Sequence, residues 1–428
     1  MTLRREKQMS VSKKKIYFWN MAGSLCNAFA SILYLAMVTR TLNDRMGDIF
    51  SIGFAFAQLM LTVGTFQVRV FQSTDVKDGY DFIDYFVFRI TTCIIMIVSS
   101  VLYLVLKGYS TEKFIIMLLL CVYKMNAAVS DVFEGLFQKN ERLDISGKLL
   151  SYNTVLCMIG FMLTLLITKS LMYGCIALVA ISFVIVITYG YRKSKSFERL
   201  DFSGYSIKKY LNSCKELFVK CLPVFINGFL ILYIFNIPKN SIDSAIEMNS
   251  LPDGFQAIYG ILFMPANAIN LLFIFFRPQI TQMAFQFADN SYDKMMVVIK
   301  RIALYLTVFT IFVCVCGYFL GPPVLGIIYG KDISAFRKQL LILLFAGGLS
   351  TLATLFDNVL TIMRKQIYST LSYAISILSV IFISDKYVLN HKMTGAAVVF
   401  GISMIALLFS EMIVFSLNFR REKKTNSL

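Results

Sequence analysis

The chain has 428 residues, of which 57% are hydrophobic and only 16% are charged, against roughly 25% charged residues in soluble domains. Since a membrane-spanning helix needs about 20 apolar residues, the hydrophobic content is enough for about twelve such helices and leaves no soluble domain of the usual size. The net charge of +17 lies mostly on one side of these helices, which excludes nucleic-acid binding as its explanation.

The hydrophobic pattern predicts twelve spans. They lie at residues 17–39, 49–69, 87–106, 114–136, 149–168, 171–190, 217–237, 256–276, 295–320, 340–363, 367–389 and 396–417. Most of the 42 lysines and arginines lie on the side that holds both termini. Because basic loops remain in the cytoplasm, we predict that both termini are cytoplasmic. The first span is too long for a signal peptide and contains Asn20 and Asn27, so we predict that it is retained.

A basic loop divides the spans into two sets of six. We predict an N-terminal six-helix bundle (1–190), a cytoplasmic basic linker (191–216) and a C-terminal six-helix bundle with a cytoplasmic tail (217–428). Both halves begin and end on the same side, which is typical of parallel repeats related by an axis along the membrane normal. Two similarities between the halves favour this interpretation. The second span of each half ends in an arginine, and the fourth span of each half carries an acid near its inner end; these residues are Arg69, Arg277, Asp131 and Asp357.

Several spans carry polar side chains along one face. Asn27 belongs to such a stripe in span 1, Gln58 to one in span 2, and Asn267 and Asn270 to one in span 8. Stripes from several helices that converge on one volume predict a central polar cavity. Two alternatives stay open, because serine and threonine stripes also form helix contacts and arginines at span ends also reach the headgroups.

Span 4 carries three charges within an apolar helix. At about 100° per residue, Lys124, Asp131 and Glu134 share one face. Each charge would cost roughly 2.5–3.5 kcal/mol if it faced lipid. This face is therefore predicted to point at protein or water. We expect Lys124 to be the one basic residue in the membrane interior, with the two carboxylates on the same face helping to hold it protonated. An internal ion pair of Lys124 with Asp131 stays an alternative, although two helical turns are long for a direct contact.

The common catalytic motifs are absent. The sequence has no P-loop, no G-x-S-x-G and no HExxH, and its single histidine is His391. A structural zinc site needs a cluster of four cysteine or histidine ligands, and the nine cysteines show no such spacing. The sequence therefore predicts no enzyme, no cofactor and no metal site.

Three segments resemble one family of membrane proteins. They are MVTRTLNDRMGDIFSIGFAFAQLMLTVGTF at 37–66, DVFEGLFQKNERLDISGK at 131–148 and GPPVLGIIYGKD at 321–332. They look like the first outer turn, the fourth span with its inner loop, and the outer loop after span 9 of O-antigen and capsule repeat-unit flippases (Wzx-type). These flippases belong to the multidrug/oligosaccharidyl-lipid/polysaccharide exporter superfamily.

The resemblance implies an all-α protein of the bacterial cytoplasmic membrane that works by alternating access between two six-helix bundles. Its cargo would be an oligosaccharide repeat unit linked to polyprenyl pyrophosphate, and its surroundings would be membrane lipids. A counter-ion (H⁺ or Na⁺) and a polysaccharide polymerase or glycosyltransferase would be further partners. Polar side chains would replace water around the sugars, and lysine or arginine would bind the phosphates.

The candidate residues fall into two groups. The predicted cargo-binding residues are Lys124, Arg69, Arg277, Asn27, Gln58, Asn267 and Asn270. The residues predicted to couple an ion or balance charge are Asp131, Glu134 and Asp357. Two alternatives are kept: a cation-coupled multidrug antiporter of the same superfamily, which would need an acidic cavity, and a membrane scaffold for glycan assembly, which would need no polar cavity.

Overall fold

The computed structural model describes residues 12–74, 79–198, 200, 206–270, 273 and 276–425. Nearly all of this part of the chain is helical, and it contains no strand. It packs as two compact units, the N-terminal unit Met1–Phe225 and the C-terminal unit Ile226–Leu428. The all-helical class predicted from the composition is therefore confirmed.

The N-terminal unit begins with helices α1 to α7. Their bounds are Lys13–Thr41 (α1), Asp44–Thr65 (α2), Val68–Thr74 (α3), Phe82–Lys107 (α4), Thr111–Lys139 (α5), Leu143–Thr168 (α6) and Leu171–Ile185 (α7). A π-helical segment, Val186–Tyr191, and a last turn, Arg192–Ser194, continue α7. Helix α8 (Ile207–Glu247) follows, and the boundary between the two units falls within it.

The C-terminal unit contains the rest of α8 and six further helices. Their bounds are Phe255–Ile269 (α9), Arg277–Ala288 (α10), Tyr292–Tyr329 (α11), Arg337–Ile362 (α12), Gln366–Ile381 (α13) and Ser384–Thr425 (α14). A short 3₁₀ turn, Ser334–Phe336, precedes α12. Helix α14 is bent at Lys392, where the backbone leaves the helical region.

Each of the twelve predicted spans overlaps one of these helices. Within the described residues, ten helices are long and apolar enough to cross a membrane, and α9 and α13 are shorter apolar helices. The chain is a multi-pass membrane protein. Some bounds differ from the prediction: α8 already begins at Ile207 within the predicted linker, and α13 ends at Ile381 although its span was predicted to reach residue 389. The bounds differ because hydropathy reports which residues are apolar enough for lipid, whereas a helix ends where the backbone leaves the helical conformation.

The two units repeat one order of helix contacts. In the N-terminal unit α5 packs against α2, α3 and α4, and in the C-terminal unit α12 packs against α9, α10 and α11. The pairs α6–α7 and α13–α14 also correspond. The short helices α3 and α10 are equivalent in this order, and they carry Arg69 and Arg277, the two arginines that suggested an internal repeat.

A tight turn places Arg69 against α5. Helix α2 ends at Thr65, and Phe66 and Gln67 both adopt left-handed conformations with φ values of 44° and 55°. The chain then restarts as α3 at Val68 instead of continuing the predicted span to residue 69. Phe66 and Val68 are buried in an aromatic core with Phe88 and Phe137, which fixes α3 on the surface of α5.

Candidate functional site

Arg69 is the centre of an ion network in the N-terminal unit. Its Nη1 atom lies 2.9 Å from Oε2 of Glu134 and 3.2 Å from Oδ1 of Asp131. Its Nε atom donates a hydrogen bond of 3.1 Å to the side-chain oxygen of Gln138. All three partners lie on one face of α5, as the sequence predicted for the two acids. The guanidinium therefore neutralises the charged face of this helix.

A second arginine completes the charge balance. Arg89 on α4 has a fully buried side chain, and its Nη2 atom lies 2.7 Å from Oδ2 of Asp131. Its Nη1 atom donates to the carbonyl oxygen of Gly64, at 2.9 Å. Asp131 thus bridges Arg69 and Arg89. Two arginines and two carboxylates give the network no net charge.

Two serines satisfy the remaining acceptors of Glu134. The Ser130 hydroxyl donates to Oε1 at 3.2 Å, and the Ser146 hydroxyl donates to Oε2 at 3.1 Å. The Glu134 side chain is only 7% exposed. Because buried charges persist only when they are paired and hydrogen-bonded, this arrangement lets α3, α4, α5 and α6 meet around ionised groups.

Lys124 lies apart from this network. Its Nζ atom sits 4.4 Å from the ring centroid of Phe54 and 5.6 Å from that of Tyr123. No carboxylate of the described residues forms an ion pair with it; Asp131 and Glu134 are paired with the arginines instead. The alternative of an internal ion pair between Lys124 and Asp131 is therefore not realised, since seven residues along a helix separate the two by about 10 Å and Asp131 bonds to arginines from other helices.

An aromatic cluster surrounds the Lys124 site. The Tyr34 hydroxyl lies 3.4 Å from the Tyr123 hydroxyl, and the Tyr34 ring packs edge-on against Phe161 at 5.4 Å. Tyr34 is fully buried. Cation–π contacts are worth up to about 2 kcal/mol when they are desolvated. The rings therefore hold the ammonium in place without neutralising it.

The predicted amide side chains lie in varied surroundings. Asn27 on α1 and Asn267 on α9 are exposed, whereas Gln58 on α2 is half-buried. Asn270, just after α9, accepts a hydrogen bond of 2.7 Å from the hydroxyl of Thr351 on α12. Arg277 is the first residue of α10, and its side chain lies outside the described residues. A role of these residues in cargo binding stays a prediction.

Asp357 lies near a second acid in the C-terminal unit. Asp357 on α12 and Glu411 on α14, which is 1% exposed, lie near enough to interact electrostatically. Ser369 on α13 donates a long hydrogen bond of 3.5 Å to Oε2 of Glu411. The Tyr373 hydroxyl, also on α13, contacts Asp357. The described part of this unit shows no ion pair of either acid with a lysine or arginine.

Three interior charged residues were missed by the sequence interpretation. The sequence interpretation assigns no role to Arg89, at the edge of span 3, or to Glu411, which interrupts the apolar run LLFSEMIVF. Lys239 was placed just outside span 7, but it lies within α8 with its Nζ atom 4.4 Å from the Phe263 ring centroid. The expectation that Lys124 is the one basic residue in the membrane interior is therefore wrong. A charge inside an apolar run was the available signal for Arg89 and Glu411.

A surface pocket of about 590 Å³ opens near the start of α4 and α8. Tyr80, Asp81, Lys209 and Glu216 belong to its lining. The Tyr80 hydroxyl donates to Glu216 at 2.6 Å, and Lys209 pairs with Asp81 at 2.7 Å. None of the predicted cargo or ion-coupling residues lines this pocket, so it is separate from the sites described above.

The fold is similar to that of several solved transporters. One is the inward-facing conformation of a multidrug-resistance MATE family transporter of the MOP superfamily, with a TM-score of 0.68 and 13% identity over 94% of this chain and 96% of that chain. A MATE protein in complex with MaL6 has a TM-score of 0.62 and 12% identity, over 97% of this chain and 96% of that chain. A MOP superfamily transporter from Pyrococcus furiosus has a TM-score of 0.57 and 12% identity, over 97% of this chain and 96% of that chain. Its binding pocket is described as having reverse polarity.

No protein-family model and no curated protein matches this sequence. At 12–13% identity the structural likeness shows that the chain has the MATE-like fold, and fold alone does not fix a cargo. The polarity of interior side chains is the feature that separates candidate cargoes.

Proposed function

We propose that this chain is a transporter that flips polyprenyl-pyrophosphate-linked oligosaccharide repeat units across the bacterial cytoplasmic membrane. Three observations support the proposal. The fold is shared with membrane transporters, three sequence segments resemble the polysaccharide flippases of the same superfamily, and Lys124 holds an interior ammonium without a carboxylate partner among the described residues. The third observation carries the choice of cargo.

Lys124 adds a positive charge to the interior of the N-terminal unit beyond the balanced network of Arg69, Arg89, Asp131 and Glu134. Arg69 and Arg89 balance Asp131 and Glu134, so the charge of Lys124 is left over. An ammonium at this depth needs water or an anion to keep its charge. A pyrophosphate supplies such an anion, whereas a cationic drug would be repelled.

Arg69 supports the same cargo in a secondary way. Its side chain is 29% exposed even though it is paired with both acids. A guanidinium has five donors, so Arg69 has capacity beyond the bonds to Asp131, Glu134 and Gln138. A phosphate or an acidic sugar would approach its open side. The predicted contacts of Asn27, Gln58, Asn267, Asn270 and Arg277 with sugars or phosphate belong to the same proposal.

The second candidate function is a cation-coupled multidrug antiporter. Structural neighbours described as multidrug-resistance transporters favour it, and Asp357 and Glu411 offer an acidic interior in the C-terminal unit. A cationic drug would bind near these acids and would not need Lys124. The two functions therefore make opposite demands on Lys124.

The decisive experiment replaces Lys124 by alanine and, separately, by arginine. A strain that lacks its own repeat-unit flippase is complemented with each variant, and surface polysaccharide and lipid-linked repeat units are quantified. We expect at least a tenfold loss of surface polysaccharide with Lys124→Ala, accumulation of lipid-linked repeat units, and a smaller loss with Lys124→Arg, because arginine also binds phosphate.

Lys107→Ala is the matched control. Lys107 also lies over an aromatic ring, that of Tyr103, at 6.0 Å, but it is exposed at the end of α4. Its loss is expected to leave polysaccharide output unchanged at equal protein level. Normal output from Lys124→Ala, together with lost resistance to a cationic drug in Asp357→Asn, would replace the flippase by the antiporter.

A further inference from the structure

An aromatic cluster joins α1, α6 and the π-helical segment after α7 near one end of the N-terminal unit. The rings of Trp19 and Tyr152 meet edge-on with their centroids 6.1 Å apart, and those of Tyr152 and Tyr189 do so at 5.5 Å. Trp19 and Tyr189 are half-buried, whereas Tyr152 is 40% exposed. The cluster therefore has one side packed within the unit and one side open to its surroundings.

Helix length indicates the depth of this cluster in a bilayer. Helix α1 has 29 residues and is about 44 Å long at 1.5 Å per residue, which matches about 40–45 Å for a bilayer with its headgroups. Trp19 follows the first residue of α1, Lys13, by about 9 Å along the axis. Tryptophan and tyrosine are enriched at this level because their rings are apolar at one end and polar at the other. The cluster is therefore expected where headgroups meet acyl chains.

Lys148 on α6 adds a cation to the cluster. Its Nζ atom lies 5.4 Å from the centroid of the Trp19 ring. Asp144, one turn earlier on α6, already accepts two hydrogen bonds from Arg142, at 2.8 and 2.9 Å. Among the described residues no carboxylate forms an ion pair with Lys148. Its charge is therefore held beside an aromatic ring without being neutralised.

Two further basic side chains flank the cluster. Lys15 precedes Trp19 by one turn of α1, and Lys193 follows Tyr189 by four residues. Side chains four residues apart lie on the same helix face, and both lysines are exposed. Basic side chains beside aromatic rings at a membrane interface are the features with which membrane proteins recognise acidic lipid headgroups.

Exposed apolar stripes run from the cluster towards the hydrocarbon region. On α1 the stripe begins at Phe18, whose ring meets that of Trp19 edge-on at 5.6 Å. The exposed residues that follow at helical spacing are Met21, Leu25 and Phe29 on α1, and Leu156, Ile159 and Leu163 after Tyr152 on α6. A phospholipid has a phosphate above its acyl chains, and the cations and the stripes are arranged in the same order.

We propose that this end of α1 and α6 binds a membrane phospholipid with a negatively charged headgroup, whose phosphate contacts Lys148. The rings of Trp19 and Tyr152 lie beside the glycerol region, and the exposed stripes contact the acyl chains. A zwitterionic lipid would bring its own cation to a site that already has three, so it binds less well. The site lies at the surface of the unit and does not rest on the proposed function.

Trp19 is the only tryptophan of the chain, so the tryptophan fluorescence of the purified protein reports on this site alone. The protein is placed in phosphatidylcholine vesicles with a small fraction of either phosphatidylglycerol or phosphatidylcholine that carries brominated acyl chains, because bromine quenches a tryptophan that it contacts. One lysine near an acidic lipid corresponds to about a fivefold preference. We expect brominated phosphatidylglycerol to quench at about one-fifth of the fraction that brominated phosphatidylcholine needs. This preference should be lost in Lys148→Met and kept in Lys148→Arg.

Lys107→Met is the matched control, since it also removes a lysine over an aromatic ring, that of Tyr103 at 6.0 Å, and should keep the preference. Equal quenching by both brominated lipids in the wild type would overturn the proposal without any variant. A preference that persists in Lys148→Met would assign it to the general charge of the protein and would also overturn the proposal.

A further arm tests whether the site belongs to the cargo lipid instead. Polyprenyl pyrophosphate or phosphatidylglycerol, both without bromine, is added to the vesicles that contain brominated phosphatidylglycerol. We expect phosphatidylglycerol to relieve the quenching at least as well as polyprenyl pyrophosphate. The opposite order would give the site to the cargo lipid and overturn the proposal. Lys124→Ala should leave the quenching unchanged, so its polysaccharide output tests the proposed function separately.

Discussion

Asp131 shows how the choice of partner decides the role of a charged residue. Its two oxygens accept from Arg69 at 3.2 Å and from Arg89 at 2.7 Å, so it joins α3 and α4 to α5. Breaking a buried ion pair by removing one partner costs about 3–5 kcal/mol, because the other charge stays buried without compensation. Arg89, which is fully buried, would be that uncompensated charge.

We therefore expect Asp131→Leu to destabilise the folded protein by about 3–5 kcal/mol. The double variant Asp131→Leu with Arg89→Met should recover most of this loss, because it removes both charges at once. Thermal unfolding in detergent, followed by the monodisperse fraction on size-exclusion chromatography, measures the difference.

Glu112→Ala is the control for that comparison. It removes the exposed pair with Arg45, whose charged atoms are 4.0 Å apart, and should change stability by less than about 1 kcal/mol. If Asp131→Leu unfolds no earlier than Glu112→Ala, the network does not stabilise the fold, and its charges are kept for transport alone.

The sequence predicted the members of this network better than their pairing. Asp131 and Glu134 share a helix face by their spacing alone, and Arg69 was predicted as a cargo-binding residue, whereas Arg89 was given no role. Their contact joins residues 62 and 65 positions apart, and it depends on the turn at Phe66 and Gln67. Helical periodicity within one span carries no information on which neighbouring helix approaches, so the pairing of the two acids with Arg69 and Arg89 could not be predicted.

At the scale of elements, the crossing of α1 and α6 depends on two glycines. A Cβ atom on Gly23 would lie 2.7 Å from the Gly147 carbonyl oxygen, and one on Gly147 would collide with the backbone of Trp19. Small residues let membrane helices approach closely. This crossing also carries Ser146, which bonds Glu134, so it positions part of the ion network.

We expect Gly147→Ala to force α1 away from α6 and to lower the yield of folded, monodisperse protein severalfold. The clash is with backbone atoms, which cannot move aside as a side chain can. Gly401→Ala is the matched control, because its Cβ would meet only ordinary contact at 3.8 Å with Ile342. Fluorescence-detected size-exclusion chromatography of both variants measures the effect, and equal profiles would mean that the crossing tolerates a wider separation.

At the scale of the whole molecule, the number and order of helices followed from hydropathy. The energy of placing apolar side chains in lipid is local to each span, so twelve apolar stretches gave twelve helices. The short helices α3 and α10 were not predicted: α3 overlaps span 2 only at residues 68 and 69, and α10 lies between the predicted spans 256–276 and 295–320. A tight turn of ordinary residues such as Phe66 and Gln67 leaves no hydropathy signal. Asp357 and Glu411 lie on α12 and α14, and only packing brings these two helices together.

The orientation in the membrane stays a prediction, and α8 provides the sharpest test of it. This helix has 41 residues and is about 60 Å long at 1.5 Å per residue, against about 40–45 Å for a bilayer with its headgroups. We therefore expect its two ends to lie on opposite sides of the membrane. The basic residues near its start predict that this end is cytoplasmic.

In a background without the nine native cysteines, Met248→Cys and Lys208→Cys place one thiol near each end of α8, at positions that are both exposed. A membrane-impermeant maleimide applied to intact cells should label position 248 and leave position 208 unlabelled, while both should react after permeabilisation. Because successive spans alternate in direction, the start of α8 is expected on the same side of the membrane as the end of α5 and the start of α6. The expected labelling would therefore place the Arg69 network near the cytoplasmic face, where a repeat unit made inside the cell would first meet the protein. The reversed labelling pattern would place the network at the outer face, and it could then not take part in the entry of the cargo.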